Sequence, residues 1–313
     1  MILGKVCKML IQNLVFPLFI VIFLGYALKR AKLFSDSFSS ELNRMVYYVA
    51  LPMLLFSNML DLRPEDVSSL ALVLGFPLVI LATMILSFLI SLLLKRHRRG
   101  AFIQGSFRAN MAYLGLAITL AVLGKEASAI AAVLVGVGTM ADILLSVAVL
   151  RFYDAKSNEE DVEKIVKSFL VNPSIVSIVA GFFFSYLRIP LPEFLLETLS
   201  LVSRTSLPLI LFIIGFSLSF QMIKESVCLD VLSALIKLLI MPALDYLIIS
   251  WFFDVSGTLL YATVLMAATP TATISYTFAK EFNADDKLAA SIVSFSTLLS
   301  MVTMPVIIYL LFH

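Results

Sequence analysis

Charge is scarce in this chain, and so are histidine, cysteine and tryptophan. Only 14% of the 313 residues are Asp, Glu, Lys or Arg, against about 25% in soluble domains. With 61% of residues hydrophobic, a soluble globular fold is excluded, because it could not hide so much apolar surface. The formal net charge is +2, so no general basic field exists to hold a polyanion, and nucleic acid is excluded as a partner. The two histidines are His97, in a basic connection, and His313, the last residue. They cannot build a two-histidine metal site, so no metal or cofactor is expected. No Gly-x-Ser-x-Gly or Walker-type loop is present, and Gly215-Phe216-Ser217 lacks the second glycine and a base. The chain therefore does not read as an enzyme. Cys7 and Cys228 are expected on opposite membrane faces and unpaired.

Long apolar runs take the place of these features. They fall at residues 11–28, 44–59, 69–94, 102–123 and 127–150, then at 169–187, 199–220, 229–252, 259–279 and 288–312. A span needs about 20 apolar residues, so the pattern predicts an all-α polytopic membrane protein with ten transmembrane helices. The second run is short and carries Pro52, but a count of nine would break the charge pattern. The first run ends against Lys29, Arg30 and Lys32 and is too long for a signal-peptide core, so it is expected to be retained.

The cations of the connections divide unevenly. Fifteen fall in one set, from Lys29, Arg30, Lys32 and Arg44 through Lys95, Arg96, Arg98 and Arg99 to Lys280 and Lys287; five fall in the other, Lys5, Lys8, Arg63, Lys125 and Arg188. The bias puts the first set in the cytoplasm and both termini outside a multi-pass protein of the cell membrane. The Lys95–Arg99 patch is either a topology signal alone or, in addition, a contact for anionic lipid headgroups.

Residues 151–168 form the longest connection, an acidic, solvated linker between a unit at 1–150 and a unit at 169–313. The halves resemble each other. Leu51-Pro52-Met53-Leu54-Leu55-Phe56 matches Leu207-Pro208-Leu209-Ile210-Leu211-Phe212 at an offset of 156, and 131–135 matches 290–294 at 159. A repeat of five helices has an odd count, so its second copy must be inverted, with a substrate site between broken helices near the midplane.

The fourth helix should break near Gly105, Asn110 and Gly115, and the ninth at Thr269-Pro270-Thr271, with Thr273 and Ser275 beyond. At offset 159 the two stretches coincide. Pro270 removes an amide donor, and unwound backbone in lipid must be satisfied by protein or water. The threonine and serine hydroxyls and the Asn110 amide could do this, or they could hold a solute. Ionisable residues inside spans need a partner or a role. Arg108 lies roughly 9 Å and Asp142 roughly 13 Å from the cytoplasmic ends of adjacent helices at about 1.5 Å per residue, so an Arg108–Asp142 ion pair or coupling pair is expected. Lys237, at similar depth, has no counter-charge besides Asp142; either it and Arg108 snorkel to the interface or an anionic solute fills the gap.

Four stretches carry a family likeness: Leu42-Asn43-Arg44 into Ala50-Leu51-Pro52; Gln104-Gly105-Ser106-Phe107-Arg108-Ala109-Asn110; Lys237 with Pro242; and Pro270-Thr271-Ala272-Thr273 with Tyr276, Ala279 and Lys280-Glu281-Phe282. The chain resembles the auxin efflux carrier family in its short prokaryotic form, which includes proposed malate and malonate permeases. The resemblance implies two inverted five-helix repeats, with helices four and nine broken and crossing beside the substrate. It also implies a homodimeric scaffold of helices one, two, six and seven, and organic anions carrying a carboxylate as substrates. Asn110, Lys237 and Pro270–Thr273 carry over as substrate-binding candidates. Under the resemblance, Ala117 stands where many relatives have proline and Ser275 where plant members have another, which implies a less sharp break in helix four. The function expected is secondary transport of a small organic anion; the alternative is a non-transporting membrane sensor or scaffold with the same fold.

Overall fold

The computed structural model describes residues 11–60, 70–153, 171–218 and 227–312. Among these residues the regular structure is helical, save one β-bridge between Ala109 and Thr271. The order is α1 (Phe16–Arg30), α2 (Asp36–Met45), α3 (Leu51–Leu60), α4 (Phe76–Ser91), α5 (Arg96–Phe107), α6 (Leu116–Leu123) and α7 (Ser128–Tyr153). It continues with α8 (Pro173–Tyr186), α9 (Glu193–Ser217), α10 (Val227–Leu235), α11 (Met241–Leu247), α12 (Thr258–Ala267), α13 (Ser275–Glu281) and α14 (Asp286–Phe312). Five helical stretches are long and apolar enough to cross a membrane: Ala71–Ser91, Met111–Tyr153, Glu193–Ser217, Val227–Phe252 and Asp286–Phe312. Most of the 151–168 linker lies outside the described residues; its first three residues are the end of α7.

Proline shapes these helices in a repeated way. Wide π-helical turns at Ile11–Val15, Val46–Ala50, Ala71–Gly75 and Ile236–Ile240 each stand just before a proline, at 17, 52, 77 and 242. Inside a helix the proline ring clashes with the carbonyl four residues back and leaves it without a donor. A turn one residue wider moves that carbonyl aside, and the helix continues. The short second run illustrates the result. α2, the turn Val46–Ala50 and α3 run on as one rod from Asp36, where Ser35 Oγ accepts the Phe38 N–H at 3.1 Å. Its first turns are polar, which is why hydropathy shows only the later part.

Two helix pairs pack with close backbones: α1 on α9, and α3 on α8. A Cβ on Gly25 would lie 2.7 Å from the Phe212 carbonyl oxygen, and one on Gly181 would lie 2.9 Å from that of Phe56. A Cβ on Gly215 would overlap the Ile22 carbonyl outright. Between the pairs, Ser206 Oγ donates to the Ala50 carbonyl at 2.8 Å. Large apolar side chains such as Ile20, Leu24, Phe183 and Leu201 point outward and exposed, as lipid-facing helices require. The site is lined by residues of these four helices and of α2, together with α7, α13 and the stretches where two further helices are interrupted.

Candidate functional site

α5 stops at Phe107 and α12 at Ala267, and the chain resumes as helix only at Met111 and Ser275. Arg108 is extended (φ −72°, ψ 114°), and Asn110 lies outside the helical region (φ −82°, ψ 57°). The break in the first stretch is thus three residues long, although Ala117 stands where the resemblance leads one to expect proline. Ala117 occupies the place that proline takes after four of the other five wide turns, and the turn at Met111–Gly115, like that at Ile248–Phe252, forms without it.

The two interruptions meet and bond to each other. The Asn110 N–H donates to the Pro270 carbonyl at 2.9 Å, and the Ala272 N–H to the Arg108 carbonyl at 3.2 Å. Side chains satisfy the neighbouring groups. Asp142 Oδ2 accepts the Ala109 N–H at 3.1 Å, Ser296 Oγ accepts the Thr271 N–H at 3.1 Å, and Thr271 Oγ1 donates to the Gly105 carbonyl at 2.6 Å. Unwound backbone at membrane depth is tolerated when it is paired in this way. Gly115 lets the two stretches close up, since a Cβ there would sit 2.7 Å from Met266 Sδ and 3.2 Å from Thr269 Cγ2.

Beside this junction lies a cavity of about 1280 Å³, walled by Arg108, Asn110, Asp142, Tyr113, Asn43 and Thr273 and rimmed by Lys29, Asp36, Glu281 and Asn283. Arg108 is 3% exposed, and its guanidinium lies 4.1 Å over the Phe278 ring, a favourable cation–π placement. With the Gln104 amide turned to suit both neighbours, its oxygen accepts from Arg108 Nη1 at 2.9 Å and its nitrogen donates to the Ser275 carbonyl at 3.2 Å. These contacts leave Arg108 a fixed positive group at the wall. Asn110 Nδ2 and Asp142 Oδ1 are buried there without partners, and an unmet buried donor favours a ligand that can accept from it.

The expected Arg108–Asp142 contact pair is not made. Both residues line the cavity, but the carboxylate takes the Ala109 N–H and the guanidinium takes Phe278 and Gln104. The ion pairs between side chains of the described residues are Lys29–Asp36 at 3.2 Å and Arg98–Asp285 at 3.5 Å.

Of the other candidates, only Asn110 and Thr273 line the cavity. Thr269 Oγ1 donates to the Met266 carbonyl at 2.8 Å, Thr271 Oγ1 is engaged as above, and Pro270 offers its carbonyl to Asn110. Ser275 is buried, with its hydroxyl unpartnered. Lys237 does not snorkel. It is fully buried, and Nζ donates to the Ala267 carbonyl at 2.6 Å, where a cation suits the end of α12. Three contributors stand outside the predicted set: Gln104, and the pair Tyr113 and Asn43, whose hydroxyl-to-amide bond is 2.7 Å. Their signal in the sequence is polar residues beside the interruption and at the head of the second rod. Cys228 is a free, exposed thiol, and Cys7 lies outside the described residues.

Residues 10–308 match a family model described as membrane transport protein. The chain is 27% identical over 298 residues to an uncharacterized transporter of Methanothermobacter thermautotrophicus, covering 93% of this chain and 95% of that one. It is 26% identical over 309 residues to a Rhizobium meliloti (strain 1021) protein whose name proposes malonate transport, with 96% of each covered. It is 23% identical over 344 aligned positions to auxin efflux carrier component 8 of Arabidopsis thaliana, covering 92% of this chain and 93% of that one.

Proposed function

The chain belongs to the membrane transport protein family, that of the auxin efflux carriers, and from that premise we propose that it is a secondary transporter of small organic anions carrying a carboxylate. The observation that carries this reading is the junction of two interrupted helices beside a cavity whose wall holds the Arg108 guanidinium and the unpartnered Asn110 Nδ2. A guanidinium and an amide donor are the groups that a carboxylate accepts from, and charge-assisted hydrogen bonds of this kind are worth about 1.5–3 kcal/mol. The name of the Rhizobium relative supports the same substrate class.

Ten spans in two inverted repeats, 1–150 and 169–313, agree with the contacts. The Gly25–Phe212 approach and the Gly181–Phe56 approach exchange when each residue is shifted by 156, and Ala50 and Ser206, 156 apart, bond to each other. Equivalent residues that touch are what an axis between two inverted copies produces. The cavity rim carries Lys29 and Asp36, in a connection that the charge bias assigns to the cytoplasm, so this state faces inward. Transport then proceeds by alternating access, with the interrupted pair moving against α1, α3, α8 and α9. The exposed apolar faces of those four helices are also where a homodimer would form.

The test is purified protein with malonate, malate and monocarboxylates. A ligand at 100 times its Kd raises stability by about 2.7 kcal/mol, which a thermal shift detects. Malonate should stabilise the protein and enter proteoliposomes, and Asn110→Leu should abolish both while still folding. Normal uptake by that variant removes the site. Binding without any uptake transfers the reading to a membrane sensor.

A further inference from the structure

Asp245, on α11, is fully buried, and among the described residues neither of its carboxyl oxygens has a donor. It lies outside the cavity. The groups packed around it are few. α4 and the turn Ile248–Phe252 carry no Asp, Glu, Lys, Arg, His or Tyr; α12 carries only Tyr261, whose ring packs on Phe312; and the neighbouring Tyr246 is exposed. Among the described residues the nearby charge is Lys237. The wide turn Ile236–Ile240 adds a residue to the helix, so positions 237 and 245 fall on one face, as residues seven apart would in a regular helix. Both are buried, whereas Leu239, Ile240 and Leu247 are exposed.

α12 holds the two groups in register. Lys237 Nζ is bound to the Ala267 carbonyl, and the Thr263 hydroxyl, one turn earlier on α12, stands beside Asp245. That separation is roughly 6 Å along the axis. Thr263 Oγ1 gives its own proton to the Leu260 carbonyl at 2.9 Å. While that bond is made the hydroxyl gives no proton to Asp245, whose two oxygens have no donor among the described residues. An ionised Asp245 would be a buried charge without a hydrogen bond, an arrangement that costs several kcal/mol. On the other side, Lys237 is in electrostatic reach of Asp142, whose Oδ1 is unpartnered at the cavity wall.

We propose that Asp245 is a proton-binding site, loaded from the cavity through Asp142 and Lys237, and that it couples anion movement to a proton. This builds on the transport reading above. Loading forms one O–H bond at Asp245 with a proton released by the Lys237 ammonium. The amine regains a proton from Asp142, and Asp142 regains one from cavity water, so one proton moves inward from water and nothing is oxidised or reduced. Arg108 stays charged throughout and takes no part in the relay.

Two measurements on reconstituted full-length protein decide it. Without substrate, the infrared C=O stretch of a protonated buried carboxyl should be present and should vanish in Asp245→Asn, whose neutral amide suits the same space. With malonate as probe, an inside-alkaline gradient should accelerate uptake by the unmodified protein. Asp245→Asn should lose that response while retaining malonate–malonate exchange. Thr263→Val removes the hydroxyl beside Asp245, makes the ionised carboxylate still less favourable and should move half-maximal uptake to less acid pH, which keeps the test open if Asp245→Asn folds poorly. A missing infrared band, an unaltered gradient response in Asp245→Asn, or a response to sodium in place of pH overturns the proposal. If malonate does not move at all, the transport reading fails and the infrared result still decides the proton site.

Discussion

The Asn110 amide and the Pro270 carbonyl, 160 residues apart, are joined by a 2.9 Å hydrogen bond where two interrupted helices meet. The bond needs both segments unwound. Proline at 270 keeps the second one so, because it has no N–H to continue α12. Pro270→Ala restores that donor and lets the helix extend toward α13. The expected change in stability is small, about 0.4–1 kcal/mol from the freer unfolded chain. The expected loss of uptake is large, roughly a hundredfold, as when a site is misplaced by ~1 Å. Thermal unfolding and proteoliposome uptake on one preparation separate the two effects.

Substituting the matched glycines should give matched costs. Gly25→Ala drives a Cβ to 2.7 Å from the Phe212 carbonyl, and Gly181→Ala drives one to 2.9 Å from that of Phe56. Backbone cannot step aside, so each variant should lose about 1–3 kcal/mol. Gly136→Ala meets only the Ile178 side chain, at 3.2 Å, and should lose much less. Melting temperatures of the three variants in one detergent check the ranking; a silent Gly181→Ala beside a damaging Gly25→Ala would count against the two-copy plan.

Arg108 combines a charge with a planar fork held over Phe278. Arg108→Lys keeps the charge but loses paired hydrogen bonding to a carboxylate. A single charge-assisted bond is worth about 1.5–3 kcal/mol, which is roughly a ten- to hundredfold rise in Kd for malonate. Phe278→Leu removes the ring, and about 0.5–2 kcal/mol of cation–π support with it, so binding should weaken less. Calorimetric titration of both variants checks the order.

Much of this site is legible in the sequence, and the unread part has a physical cause. Polar residues and small residues in two apolar runs at one offset point to the two interruptions, and equal depth puts Arg108 and Asp142 in one place. The destination of each hydroxyl is not legible. Thr269 Oγ1 turns back to a carbonyl three residues earlier, as hydroxyls in apolar helices do, and Thr271 reaches Gly105, 166 residues away. Lys237 reads as a cation in need of an anion, yet the Ala267 carbonyl meets it; a helix end brought near by tertiary packing leaves no mark in local sequence. The polar head of α2 fails in the opposite sense, since hydropathy registers lipid contact and not helix.

The Tyr113–Asn43 bond links the interrupted helix to α2 across the cavity at 2.7 Å. If the interrupted pair moves against the rod that carries α2, this bond breaks once in every cycle. A hydrogen bond is worth about 0.5–1.5 kcal/mol net, and this one is exposed to water, so the lower part of that range applies. Tyr113→Phe keeps the ring and removes the donor. It should shift the resting balance away from the inward-facing state by roughly two- to fivefold. A cysteine at position 273, on the cavity wall in a background lacking Cys7 and Cys228, reads this balance through its rate of labelling by a membrane-impermeant thiol reagent from the cytoplasmic side. Labelling should slow in Tyr113→Phe, by at most that factor, and malonate exchange should persist. Unchanged labelling would mean that α2 and the interrupted helix travel together, and that the moving boundary lies elsewhere.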